Sequence, residues 1–376
     1  MKKLVIIHYL PVEYYPPITN LLDYIGDEYP ELARKTNVFT SKNIKGRIPY
    51  CHKEIKIKRY PFPIPQDLFI VRFLKYWIFN LVSFLSILAK RPDTILYYES
   101  SSAWSAWFYS RFINKTCRIF VHNHEYFSPE WYAKVPLSNY YHKLEQKWLY
   151  NKADWISQTN QNRMDLFHKD NPNLSFLSFK LMPNYPPIKW KELLQDKTRK
   201  QYPVKIVYVG SLAFQSSYIR EFCLWVSNQK GNIIFDIYSY NLHNDVKDYL
   251  CNMSSPHINF YDKGIEYMEQ PKILSQYDIG MILYNPMTLN YVYNAPNKLF
   301  EYLACGLDVW YSPKMLGIEP YKTENSFPKV LPIDFEDLDK FDWENAILRD
   351  NFELSEKNYF CENEYKRLIT AILQNE

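Results

Sequence analysis

Glycine is unusually scarce in this chain. Eight glycines in 376 residues is about 2%, against an average usage near 7%. The glycine-rich loops that wrap phosphates in P-loop proteins and dinucleotide-binding proteins have little to form from, and the segment where one would open, 8–20 (HYLPVEYYPPITN), carries prolines instead. Paired cysteines are missing too. Cys51, Cys117, Cys223, Cys251, Cys305 and Cys361 are scattered, with no CxxC and no Cys/His pairing at zinc-ligand spacing, which excludes a zinc-finger or disulfide scaffold and points to a reduced, cytoplasmic compartment. Net charge is small: 45 Lys+Arg against 41 Asp+Glu leave +4, too little to argue for a nucleic-acid partner. There is no HExxH, and the one Asp-x-Asp, at 337–339, lies in an acidic loop with no strand before it, so no metal site is expected.

What is present is apolar and aromatic. Hydrophobic residues make up 47% and aromatics 18%, which rules out a disordered or fibrous chain, and the length suits two domains of roughly 100 to 200 residues. The start, MKKLVIIHYL, has too short an apolar run for a signal peptide and reads as a buried strand. Apolar runs of strand length alternate with helical segments at 4–9, 36–40, 94–98, 118–122 and 155–159. The pattern restarts at 204–209, 232–238, 257–261, 279–284 and 308–311. That alternation is the mark of βα units on parallel sheets, and it predicts an α/β protein of two Rossmann-like domains, 1–185 and 186–376. Between them MPNYPPIKW (182–190) carries three prolines, which forbid helix or central strand and mark a hinge. The polar stretch 191–201 reads as a linker, and the tail after Phe341 as helical, packing back across the seam.

The halves differ in charge. Residues 1–190 hold 26 Lys+Arg and 15 Asp+Glu, a net +11, while 191–376 hold 19 and 26, a net −7. A basic first half suits an anionic membrane surface or a phosphorylated acceptor; a lysine-rich composition without functional meaning explains it equally. Residues 68–89 (LFIVRFLKYWIFNLVSFLSILA) are long enough to span a bilayer, but Arg72, Lys75 and Asn80 oppose a span, since Arg or Lys at its centre costs roughly 2.5 to 3.5 kcal/mol. Two alternatives stand: a mostly buried helix feeding the strand at 94–98, and a helix resting in the membrane interface.

The richest segment is 294–309, NAPNKLFEYLACGLDV. Pro296 suits a first helical turn, Lys298 and Glu301 share a face at i, i+3, and Gly306 can stop the helix in the left-handed conformation. A helix starting at the C-terminal edge of a parallel sheet offers free N–H groups to a diphosphate. Lys298 would add a point charge there, and Glu301 two acceptor oxygens for a ribose; the plain alternative is an ion pair on a solvated helix face. Gly210, ending VKIVYVG, would let a ligand approach the backbone, with the Ser211 hydroxyl beside it. In VHNHEYF (121–127), His124 and Glu125 lie just beyond a strand, as polar groups of a site or as an ordinary hydrogen-bonded loop.

The 294–309 segment closely resembles the PxKxxEYxAxGxPV motif of GT-B glycosyltransferases of the group 1 (family 4) type, with Asp308 in place of the final proline. VKIVYVGSL and MPNYPP are similar to the family's donor-domain first strand and interdomain segment. The resemblance implies a GT-B fold, two Rossmann-like domains facing a cleft. It also implies donor contacts at Gly210, Ser211, Gly264, Ile265, Asn294, Pro296, Lys298 and Glu301, and a part for His124 or Glu125 at the reacting centre. No cofactor is implied beyond the nucleotide-diphosphate sugar itself as donor substrate. The partners would be that nucleotide sugar, a glycan or lipid-linked acceptor and the inner membrane face, and the reaction a retaining, metal-independent hexosyl transfer in surface polysaccharide synthesis. Two departures stand out. Tyr293 occupies the place of a family Glu, and the nearest basic residue after the GSL loop is Arg220. A GT-B nucleotide-sugar 2-epimerase and a catalytically silent partner subunit are the alternatives.

Overall fold

The computed structural model describes residues 2–44, 46–64, 66–193, 202–253, 255–348, 353–354 and 357–374. Backbone contacts divide the chain into two units, Met1–Pro183 with Cys361–Glu376, and Asn184–Phe360. Each is built on its own parallel sheet. In the first unit the strands are β1 (Leu4–His8), β2 (Thr36–Ser41), β3 (Lys56–Tyr60), β4 (Thr94–Tyr98), β5 (Arg118–Asn123), β6 (Ala153–Gln158) and β7 (Phe179–Leu181). In the second they are β8 (Val204–Val209), β9 (Ile233–Tyr238), β10 (Ile258–Tyr261), β11 (Ile279–Ile282), β12 (Asp308–Tyr311), β13 (Ser326–Phe327), β14 (Val330–Pro332) and β15 (Glu353–Leu354), with β13 and β15 forming a separate pair.

The first sheet runs β3-β2-β1-β4-β5-β6-β7 and the second β10-β9-β8-β11-β12-β14. In each, the order reverses once, between β1 and β4 and between β8 and β11. At such a reversal neighbouring loops leave in opposite directions and open a crevice beyond the strand ends. The ten strands expected from the apolar runs all form. The three further sheet strands had weaker signals: β3 (KIKRY) is a sheet-edge strand with exposed lysines, and β7 and β14 are three residues each.

The central strands are buried because helices cover both faces of each sheet. In the first unit Val5, Ile7, Ile95 and Val121 pack with Phe79 and Ile87 of the helix Phe69–Lys90. In the second, Ile206 and Phe235 pack with Phe222 and Trp225 on one face, while Val207 and Val309 pack with Leu299, Phe300 and Tyr302 on the other. The C-terminal helix Cys361–Leu373 belongs to the first unit. Its Tyr365 Oη donates to Pro17 O at 2.7 Å, and Arg118 Nη1 donates to Ala371 O at 2.8 Å. A 3-10 segment, Ile188–Leu193, leads into the linker expected at 191–201, of which 194–201 lie outside the described residues.

The expectation of a mostly buried helix near 68–89 is corrected. The helix Phe69–Lys90 buries only Tyr76, Phe79, Asn80, Ser83 and Ile87, and its most apolar face is turned to solvent. Arg91 caps it in the left-handed conformation, φ 48°, where a glycine is commoner.

Candidate functional site

The second unit's candidate site grows from its strand-order reversal. β8 ends at Val209, and Gly210 follows with φ +148°, a conformation that L side chains rarely adopt. A Cβ on Gly210 would lie 2.6 Å from Lys298 Nζ and 3.3 Å from Tyr208 Oη. Its absence is what lets the ammonium approach the strand end. Lys298 Nζ donates to Tyr208 Oη at 3.3 Å and sits 4.3 Å and 4.6 Å from the ring centres of Tyr208 and Tyr284. Cation–π attraction of this kind contributes about 0.5 to 2 kcal/mol, so the two tyrosines hold the charge in place without neutralising it. Tyr208 in turn donates to Ser211 O at 2.7 Å. Burial pushes its phenol up to about 12, with Lys298 opposing.

The helix Asn297–Ala304 carries Lys298 and Glu301. Two contacts aim it. Gly280 in β11 leaves room for the Tyr302 ring, which a Cβ there would meet at 2.2 Å, and Tyr302 Oη accepts from Val209 N at 3.1 Å. At its far end Gly306 (φ +70°) forms a Schellman turn, with Gly306 N donating to Leu303 O and Leu307 N to Tyr302 O, both 3.0 Å. Pro296 is the N-cap and not the first helical residue. Asn294, just before it, is held where the backbone of Gly317 approaches; a Cβ on Gly317 would come within 2.6 Å of Asn294 O.

Lys298 and Glu301 are each only 7% exposed, so a solvated ion pair is not what these residues form. No hydrogen bond or ion pair within 4.0 Å joins them. Burial pushes the Glu301 carboxyl up to about 7, with the Lys298 charge opposing. This carboxyl, which has no hydrogen-bond donor among the described residues, is chemically suited to accept from ligand hydroxyls. Gly264 (φ +63°) and Ile265 follow β10, at the same edge of the sheet but on its end strand, two strands from β8. Arg220 is exposed and stacks on Phe214 at 3.5 Å. Asp337 pairs with Lys340 at the surface.

The first unit gathers a second cluster at its own reversal. Strand register places His8, Tyr98 and His122 side by side across β1, β4 and β5. His124, just past β5, stacks between Tyr98 (5.1 Å, 11°) and Tyr15 (5.1 Å, 30°), and its ring lies 4.7 Å from that of His122 and 6.1 Å from that of His8. Burial holds His8 and His122 well below the ordinary imidazole range, so both are neutral. Among the described residues no group of His, Cys, Asp or Glu could hold a metal ion.

Sequence reasoning named His124 and Glu125 here but missed Glu99. This residue follows β4 with φ 59° and ψ 156°, a region almost reserved for glycine that costs about 1 to 3 kcal/mol. The strained backbone turns its carboxylate back to β5, where Oε1 accepts from His124 N at 2.7 Å and Glu125 N at 3.3 Å. Burial first, and the Glu125 charge second, push the Glu99 carboxyl up to about 8 against those two donors. An acidic residue directly after TILYY was the available signal. Tyr208 and Tyr284, also missed, likewise stand at strand ends, where an aromatic residue reads as core.

The chain matches no family profile and no curated protein. Among solved structures it is similar over its full length to several proteins. One is the lipopolysaccharide outer core galactosyltransferase WaaB in its apo form, at 14% identity and TM-score 0.61, covering 99% of both chains. Another is Anabaena HepE in complex with UDP and glucose, at 12% and 0.62, also covering 99% of both. A third is Neisseria meningitidis UDP-GlcNAc 2-epimerase bound to UDP-GlcNAc, at 10% and 0.57, covering 100% of both. Likeness at such identities carries the architecture and not the activity: this chain has the GT-B glycosyltransferase fold.

Proposed function

We propose that this protein is a glycosyltransferase that moves a hexose from a nucleotide-diphosphate sugar to a glycan or lipid-linked saccharide. The observation that carries the proposal is that Lys298 and Glu301 are both buried, without an ion pair between them, on one short helix beside a strand-order reversal. Their functional groups are held apart, and among the described residues the carboxyl has no donor. A diphosphate at the helix N-terminus would meet the dipole and the Lys298 charge, and the ribose hydroxyls would satisfy Glu301. No metal is needed in this reading, because the leaving diphosphate is stabilised by fixed charge and N–H groups. In the retaining course the bond from the sugar C1 to phosphate breaks, the acceptor oxygen bonds to C1 on the same face, and the hydroxyl proton passes to a base. Glu99, with His124 and Glu125 beside it, is the candidate for that base on the acceptor-holding unit.

A specific observation favours a second reading. Glu99, His124 and Glu125 are acid and base groups of the kind a nucleotide-sugar 2-epimerase requires. Incubation with labelled UDP-, GDP-, ADP- and dTDP-hexoses and a membrane lipid extract separates the two. Label moving to lipid or glycan supports transfer, an epimerised free nucleotide sugar supports the second reading, and neither outcome with any donor overturns both. A thermal-shift panel of the free diphosphates identifies the base, since a ligand at 100 times its dissociation constant adds about 2.7 kcal/mol.

A further inference from the structure

The helix Phe69–Lys90 is apolar on the side it turns away from the protein. Ile70, Leu74, Ile78, Leu81 and Leu85 recur at helical spacing and form one stripe, each between 45% and 64% exposed. Projected at about 100° per residue, the helix's charged side chains fall within about 60° of one another and none lies on the stripe. Arg72, Lys75 and Lys90 project to the other side, and Lys75 is paired with Asp67 at 2.6 Å. The buried side includes polar Asn80 and Ser83. This polarity is the reverse of what water alone selects in a surface helix.

The apolar surface continues past the helix. Trp77 lies 5.8 Å from Trp104, and Phe84 lies 4.8 Å from Phe108, which lies 5.0 Å from Phe112, itself 58% exposed. Its surroundings are basic. Residues 67–93, 100–118 and 131–152 hold 11 Lys+Arg and three acidic residues, of which Asp67 pairs with Lys75 and Glu145 is fully buried. Arg111 and Lys115 flank Phe112 in sequence and are exposed.

We infer that this face docks on an anionic lipid surface, with the helix lying in the interface plane. An aliphatic stripe continued by aromatic residues, with exposed cations such as Arg111 and Lys115 at its edge, is the combination an interfacial helix uses, burying its stripe among acyl chains while Lys and Arg meet head groups. A span is disfavoured: at 1.5 Å per residue the helix is long enough, but Phe79 and Ile87 are fully buried in the unit's core, and crossing the bilayer would strip them from it. The inference does not rest on the transferase reading.

The test compares the full-length protein with a Leu74→Gln/Leu81→Gln/Leu85→Gln variant, whose sites are solvent-facing, in co-sedimentation with phosphatidylglycerol/phosphatidylcholine vesicles and with pure phosphatidylcholine. The unmodified protein is expected to favour the anionic vesicles and to be released by salt, and the triple variant to lose about tenfold or more in partitioning at an unchanged melting temperature. An Arg111→Ser/Lys115→Ser variant is expected to bind less steeply with salt. Failure of the unmodified protein to bind, or equal binding by the triple variant, overturns the inference. So does resistance to alkaline carbonate extraction, which indicates a span, or a dimer broken by the triple variant without vesicle binding, which indicates a second copy. Loss of sugar transfer with vesicle binding intact would overturn only the transferase reading.

Discussion

Burial raises the proton affinity of the Glu301 carboxyl, and the consequence can be measured without any substrate. Its proton is held up to about 7 against an ordinary 4.5. Between those values the unfolded chain releases the proton while the folded one keeps it, so stability falls as pH rises and the loss is complete above the upper value. At 1.36 kcal/mol per pKa unit, the loss is up to about 3 kcal/mol. Glu301→Gln is therefore expected to match the parent near pH 4 and to exceed it in thermal stability at pH 8. The same substitution should weaken nucleotide binding by about 1.5 to 3 kcal/mol, the range for hydrogen bonds to a charged group. Calorimetry reads both, and unchanged nucleotide affinity would remove Glu301 from the ribose. Glu99 gives a kinetic counterpart. Under the proposed role as base, with its proton held to about 8, it should impose a rate that climbs through that pH, and Glu99→Gln should abolish that limb and slow turnover by about 10² to 10⁴.

At the scale of elements, the helix Asn297–Ala304 depends on a residue outside it. The Tyr302 ring is fully buried and lies where a Cβ on Gly280 would stand. A buried ring cannot step aside as a lysine tip can. Gly280→Ala is expected to cost about 1 to 3 kcal/mol as overpacking, to lower the urea midpoint and to weaken nucleotide binding, and Tyr302→Leu in the same chain should recover part of the stability. Gly210→Ala is the contrasting case, because its Cβ would meet the mobile end of Lys298. Beyond backbone strain of about 1 to 3 kcal/mol, it should mainly displace the ammonium, and nucleotide affinity should fall without disturbance of the core.

For the whole molecule, the chain order and the folded units do not coincide. Residues 361–376 return to the unit formed by the first 183 residues, and Tyr365, Leu368, Ile369 and Ile372 are almost wholly buried there. At about 1.5 to 3 kcal/mol for each large apolar side chain, removing them takes away stability comparable to a whole domain's margin of about 5 to 15 kcal/mol. A chain ending at Phe360 is expected to lose the melting transition of the first unit while the second keeps its own. Two transitions of unchanged midpoint would contradict this.

The α/β alternation, the ten principal strands and the placement of Lys298 and Glu301 on one helix were legible in the sequence, because periodicity and cap residues act over a few neighbours. Even the GT-B architecture was implied by the motif at 294–309. The solvated ion pair was a local alternative that only burial could decide against. Glu99, Tyr208, Tyr284 and Gly280 were not legible as site residues, since each acts on a partner at least 14 positions away, brought to it only by the folded sheet. The helix at 69–90 divides in the same way. Composition established that it is apolar, but which side meets water depends on where Phe79 and Ile87 find a core, and that is decided by tertiary packing.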